Sequence, residues 1–366
     1  NMGVKFVTLT GGEPTTKKDW YVIAEKLSKA GIYTNIISNG WFVEDDLVEK
    51  IKQAGIAICA ISIDGVKETH DKIRKEGSFE KDLLALKKLK YHGVQTMVAT
   101  TINNENIEEL DEMYDIFSEI GVDFWQLQIT LPMGNFLKQQ TLFVEPGMIE
   151  QIIDFAYKKK EGQLEIHLTD GIGYYNKKQI CMQQNTCWAG CSAGKKSVGI
   201  LQNGDIVGCT SIRNEKMIEG NIRDGSLRDI WFSKDSFLWN RNFKRDDLKG
   251  LCRECKYGDM CLGGCSNSRF TLNGTIESEN ILCSYNYKLV QARKYINKLD
   301  EEQLLQLFTI LIEKNEYQIA KMVYDRIKNI NGNHVIEMCE KYLQVNTDCK
   351  ERSEEHTSEL QSHSSI

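Results

Sequence analysis

Residues 30–40 read AGIYTNIISNG and residues 54–65 read AGIAICAISIDG. Each stretch opens on Ala-Gly, runs through an apolar, partly β-branched segment and closes on polar residues. Gly just past a helix permits the left-handed cap that turns the chain into the next strand. The joint returns as HGV at 92–94 and IGV at 120–122. This pattern predicts strands over residues 4–9, 33–38, 57–63, 95–102 and 123–129, separated by amphipathic helices. Strands this apolar, alternating with helices, form a parallel sheet covered on its faces.

Working outward, Met2 is the only conceivable start before the first strand, so the amino terminus is expected to be incomplete and could have held a further strand. Beyond Pro132 the rhythm changes. A helix is expected at 147–160, then an isolated strand near 164–168, then an irregular region through Cys283 with hairpin signals such as GILQNGDIVGC at 199–209. Residues 287–343 return to helical periodicity, as in LLQLFTILIEK and YQIAKMVYDRIKNI, and predict three or four amphipathic helices. Residues 352–366, RSEEHTSELQSHSSI, carry no apolar periodicity and match the translation of a sequencing adapter, so His356 and His363 are not taken as metal ligands. The expected divisions are 1–131, a linker region 132–180, a cysteine-rich domain 181–286, a helical extension 287–349 and the artefactual 352–366.

The 366 residues suffice for about two domains. With 41% hydrophobic and 27% charged residues the chain is not disordered, and a formal charge of −6 disfavours a general nucleic-acid binder. The longest apolar run, 56–61, is far too short to span a bilayer, and no export signal precedes the first strand. A soluble cytoplasmic protein without membrane or nucleic-acid partners is expected. Nine of the twelve cysteines lie between Cys181 and Cys283. Disulfide frameworks belong to small secreted domains, so this clustering points to metal binding.

In parallel α/β sheets ligands sit beyond the carboxyl ends of the strands. Here those ends are polar: TGGEP at 10–14, SNG at 38–40, SIDG at 62–65, residues 100–103 on the fourth strand, and Gln126 and Gln128 on the fifth. Gly11 and Gly12 would let a ligand approach the backbone, and Glu13 could take an ammonium group. Taken singly, each piece also reads as a turn or a helix cap.

As an ordered set these residues resemble the radical SAM superfamily. The resemblance implies an S-adenosylmethionine site formed by Gly11, Gly12, Glu13 and Pro14 at the methionine amino group, Asn39 at the ribose, and Ser62, Asp64 and Gln128 along the pocket. His70 and Asp71 continue it, and Arg74 would pair with the methionine carboxylate through its guanidinium fork. The family's C-x-x-x-C-x-x-C loop, which holds a third, catalytic [4Fe-4S] cluster, has no counterpart, because no cysteine precedes Cys59. Cys59 itself lies in an apolar strand and reads as an inert buried thiol. The chain as given is therefore expected not to cleave the cofactor, and its catalytic residues are unknown.

Farther on, Cys252-x2-Cys255-x5-Cys261-x3-Cys265 and Cys283 follow Cys191-x12-Gly204-x4-Cys209. This resembles the SPASM domain, which carries two auxiliary [4Fe-4S] clusters. The resemblance implies Cys191, Cys209 and Cys265 at one site and Cys252, Cys255, Cys261 and Cys283 at the other. Four thiolates per cluster leave the first site one short, to be completed by Cys187 in preference to Cys181. Structural zinc is the competing reading of the paired spacing. Cys339 and Cys349 read as ordinary thiols.

The resemblance implies an α/β fold, a partial (β/α)6 barrel followed by a small iron-sulfur domain and helices. It also implies hydrogen abstraction from a peptide or protein substrate, with electrons from a flavodoxin or ferredoxin. The expected activity is maturation of a ribosomally made peptide. The alternatives are formylglycine formation, as in anaerobic sulfatase maturation, or a non-catalytic iron-sulfur or zinc module.

Overall fold

The computed structural model describes residues 2–134, 142–169, 171–182, 188–314 and 316–330. Six strands form one parallel sheet in chain order: β1 (Phe6–Leu9), β2 (Tyr33–Ser38), β3 (Ile58–Ser62), β4 (Gln95–Ile102), β5 (Phe124–Ile129) and β6 (Glu165–Leu168). Every neighbouring pair is parallel. The helices between them are α1 (Trp20–Lys29), α2 (Asp45–Gln53), α3 (Lys67–Ile73), α4 (Ser78–Tyr91), α5 (Leu110–Ile120) and α6 (Met148–Lys159). The partial barrel expected from the sequence is present. The segment near 164–168 is not isolated, however. It pairs with β5 from Phe124↔Glu165 to Leu127↔Leu168, with α6 as its crossover. A four-residue strand on a sheet edge has too few positions to display its role by periodicity alone.

The sheet is not covered equally on its two faces. Register places Ile36, Cys59, Ile61, Val98, Trp125 and Ile166 on one face, where they pack with Trp20, Val48, Leu86, Phe117 and Ile153 of the helices. The other face carries the row Ser62, Ala99, Gln126 and His167, with Thr101 beside Gln128. Burial along β5 alternates strictly, with Trp125, Leu127 and Ile129 buried and Phe124, Gln126 and Gln128 only partly so. A curled sheet lined by polar side chains on its inner face offers a ligand site there, which a sheet sandwiched between helices would not.

The cysteine-rich region belongs to the same compact unit, Asn1–Asn286, and contributes Leu282 to the main core, as the preceding segment contributes Ile172. Its hairpin forms as expected: β7 (Gly199–Ile200) pairs antiparallel with β8 (Asp205–Val207), and β9 (Ile218–Asn221) adds a third strand. The second unit, Tyr287–Ile366, contains helices Glu301–Glu313 and Tyr317–Ile330. Leu304, Phe308 and Leu311 of the first pack with Ala320, Val323 and Ile327 of the second. Asp300 and Gln303 form a reciprocal capping box at the start of the first. Residues 352–366, Cys187, Cys339 and Cys349 lie outside the described residues. Among the described residues no helix is long and apolar enough to cross a membrane.

Candidate functional site

The strand ends converge along one edge of the sheet and are tied to one another. Gly11 has φ +139°, a conformation that side-chain-bearing residues rarely adopt, and open space lies beside both Gly11 and Gly12. Glu13 reaches from the first loop to the second strand. Its carboxylate accepts hydrogen bonds from Ser38 Oγ (3.0 Å), the Asn39 backbone N–H (2.7 Å) and Thr15 Oγ1 (2.6 Å). Pro14 opens a single 3₁₀ turn, its missing N–H harmless at that position. The Asn39 side chain accepts from the Trp41 N–H (3.0 Å).

At the next strand end Asp64 is buried, and its two carboxylate oxygens serve different partners. Oδ1 accepts from the Thr101 N–H (2.7 Å) and Oδ2 from Arg74 Nε (2.7 Å). Arg74 is thus aimed by Asp64 while 30% of its side chain stays exposed. Gln128 Nε2 donates to Thr101 Oγ1 (3.0 Å), so β3, β4 and β5 are linked through polar tips. Ser62 lies on the inner face in register with Ala99.

His70 and Asp71 support this edge instead of lining it. Fully buried His70 accepts the Asp64 backbone N–H at Nδ1 (2.9 Å). With Nδ1 accepting, the proton of the neutral ring sits on Nε2, which lies 3.1 Å from Asp82 Oδ2, off the line of a good hydrogen bond. Burial raises the Asp82 carboxyl above its ordinary range, although His70 acts the other way. Asp71 caps α4, accepting from the Gly77 and Phe79 N–H groups (2.9 and 2.8 Å). Burial would raise its carboxyl, but those backbone donors outweigh it and hold the pKa below the ordinary value.

The second group is sharper. Cys252, Cys255, Cys261 and Cys283 line one cavity, together with Tyr174, Asn280 and Asn286. All four residues of one expected ligand set therefore meet there. Burial, reinforced by the neighbouring thiols, pushes Cys283 up to about 12 and Cys261 higher still. Burial raises Cys255 as well, and thiols gathered around one cavity become thiolates together only when a positive centre compensates them. Donors for sulfur are in place: the Asn280 N–H and Asn286 Nδ2 each lie 3.3 Å from Cys252 Sγ. Among the described residues no three His, Cys, Asp or Glu side chains converge on a single-ion position. Four thiols around one cavity are a ligand set that an iron-sulfur cluster uses and that a tetrahedral zinc ion also uses.

Cys191, Cys209 and Cys265 lie on segments that pack on one another. Gly208 sits against the backbone of Ala193 and Gly194, Gly190 against Leu262, and Trp188 Nε1 donates to the Cys261 carbonyl (3.0 Å). Cys265 starts the helix Ser266–Asn273. Of the two candidates for a fourth ligand, Cys181 is exposed on the helix Lys177–Met182. Cys59 is wholly buried in β3, and burial pushes its thiol up to about 12, as expected of an inert cysteine.

Sequence reasoning missed Tyr174 and Arg269. Tyr174 OH accepts the Cys265 N–H (2.9 Å) and a bond from Asn280 (3.2 Å), and Arg269 is 1% exposed. The Gly263-Gly264 pair beside Cys265 was the available signal. A Cβ on Gly264 would stand 2.4 Å from the Tyr174 ring, and one on Gly263 3.0 Å from Arg269 Cζ.

Comparison with known proteins matches two parts of the chain to family models. Residues 1–117 match the family model of the radical SAM superfamily, and residues 191–256 match that of SPASM, an iron-sulfur cluster-binding domain. The chain is 27% identical over 303 residues to an AdoMet-dependent heme synthase from Methanosarcina barkeri, covering 78% of this chain and 84% of that protein. It is 26% identical over 282 residues to the mycofactocin maturase MftC of Mycolicibacterium smegmatis, covering 74% and 68%. The solved structure of anSMEcpe with bound AdoMet and Cp18Cys peptide superposes with a TM-score of 0.60 at 19% identity, covering 78% of this chain and 82% of that one, a likeness of fold.

Proposed function

We propose that this chain carries the cofactor-binding sheet and the SPASM domain of a radical SAM protein that acts on a peptide or protein substrate by hydrogen abstraction, the family's catalytic-cluster cysteines having no counterpart among residues 1–58. The observation that carries the reading is the union, in one compact unit, of a polar inner sheet face and a cavity walled by Cys252, Cys255, Cys261 and Cys283. Bound S-adenosylmethionine, cleaved by a reduced iron-sulfur cluster, supplies the hydrogen-abstracting radical in this superfamily. Gly11, Gly12, Glu13, Pro14, Asn39, Ser62, Asp64, Arg74 and Gln128 are the residues we assign to that cofactor. Glu13 offers a carboxylate to its ammonium, and Arg74, steered by Asp64, offers a guanidinium to its carboxylate. The inner face excludes water and holds the substrate carbon in place, which a radical of low selectivity requires. Cys187, Cys191, Cys209 and Cys265 would hold one auxiliary [4Fe-4S] cluster, and the four cavity thiols the other.

The peptide reading is supported by the likeness to MftC and by the peptide seen with anSMEcpe. The likeness to a heme synthase favours a second reading, in which the inner face receives a tetrapyrrole. Calorimetry on the anaerobically reconstituted protein separates them. A peptide encoded beside its gene should bind, while a tetrapyrrole should bind weakly and keep its free absorption spectrum. Tight tetrapyrrole binding with no peptide binding would replace the first reading by the second.

A further inference from the structure

Arg269 is a buried cation whose direct partners are neutral. Its Nη1 donates to the Ile276 carbonyl, Nη2 lies 3.4 Å from Ser266 Oγ, Nε has no partner, and the guanidinium lies 5.0 Å from the Phe243 ring centroid. Such a charge is costly to bury unless something negative answers it. As thiolates, Cys252 of the walled cavity and Cys191 and Cys265 of the other site would act favourably on that charge. Position agrees with charge. Arg269 stands one helical turn after Cys265, its backbone N–H donating to the Cys265 carbonyl. Its guanidinium presses on Gly263, which lines the cavity of Cys252, Cys255, Cys261 and Cys283.

We propose that Arg269 is a fixed positive charge shared by the two cysteine sites, raising the reduction potential of the iron-sulfur group at each and so setting where an electron taken from the substrate comes to rest. Reduction adds one electron and one negative charge to a thiolate-bound cluster, and a buried cation nearby stabilises that added charge. Arg269 is a positioning residue in this account, since it ligates nothing. The inference rests on the proposed cluster ligation.

The test is a dithionite titration followed by electron paramagnetic resonance, on reconstituted wild-type protein and on Arg269→Gln and Arg269→Lys. Zinc in place of iron in the wild type would end the cluster reading before the arginine is tested. With iron present, Arg269→Gln should keep its iron and lower both midpoints by about a tenfold step in the one-electron equilibrium, about 59 mV, while Arg269→Lys restores them. Full iron content with unchanged midpoints in Arg269→Gln overturns the proposal. Should Arg269→Gln lose iron, retention of iron and wild-type midpoints by Arg269→Lys supports a role for the charge. Loss of iron or displaced midpoints in Arg269→Lys as well assigns the residue to packing and overturns it.

Discussion

Replacing Asp64 by Asn takes an acceptor from Arg74 while leaving one for Thr101. The remaining carbonyl oxygen can still receive the Thr101 N–H, whereas the new amide turns N–H groups toward Arg74 Nε, now 2.7 Å from the carboxylate. A hydrogen bond to a charged group contributes about 1.5–3 kcal/mol. The Arg74 side chain is 30% exposed and its charge partly screened, so Asp64→Asn should destabilise the protein by about 1.5 kcal/mol, the low end of that range. Arg74→Gln removes the same bond from the other side, so the double variant should be less destabilised than the sum of the two. The assay is urea unfolding followed by circular dichroism, with iron content matched across the four proteins. Additivity within about 0.5 kcal/mol would mean the two side chains act independently, and would refute the claim that Asp64 aims Arg74.

Glu13→Ala should weaken S-adenosylmethionine binding by about 1.5–3 kcal/mol in calorimetry; unchanged affinity would remove Glu13 from the site. Burial alone would raise the Asp123 carboxyl, but bonds from Lys90 (2.8 Å) and the Thr96 N–H (2.8 Å) outweigh it and hold the folded pKa below the ordinary value. Its contribution to stability is therefore present above about pH 4 and lost as pH falls further, so Asp123→Asn should flatten the acid limb of the stability profile, and an unaltered limb would count against it. Cys59, with its thiol pushed up to about 12, should resist iodoacetamide in the folded protein at pH 8 and react after denaturation. Cys187→Ala should lower iron content and Cys181→Ala should not; the reverse result would exchange the two ligands.

The sheet was legible because each Ala-Gly or similar joint and the apolar run after it report a local preference that the tertiary structure keeps. β6 was legible only as a strand, since membership of the sheet depends on Phe124 and Trp125 of β5, about forty residues earlier. The cavity set of Cys252, Cys255, Cys261 and Cys283 could be anticipated because the resemblance to the SPASM domain implies it, whereas their spacing alone also fits zinc. The roles of His70 and Asp71 could not, because each answers a partner that no periodicity reveals: His70 the backbone of Asp64, and Asp71 the N-terminus of α4. Arg269 lies in a polar stretch, SNSRF, whose composition gives no sign of burial, and only the neighbouring Gly263-Gly264 pair hints at its close packing.

Iron and acid-labile sulfide, counted per chain after anaerobic reconstitution, test the central claim most directly. The account predicts about eight of each in the wild type, the content of two four-iron clusters, and about half that in Cys261→Ala and in Cys209→Ala, with Cys59→Ala unchanged. Stoichiometric zinc with little sulfide, or full iron content in both ligand variants, would contradict it.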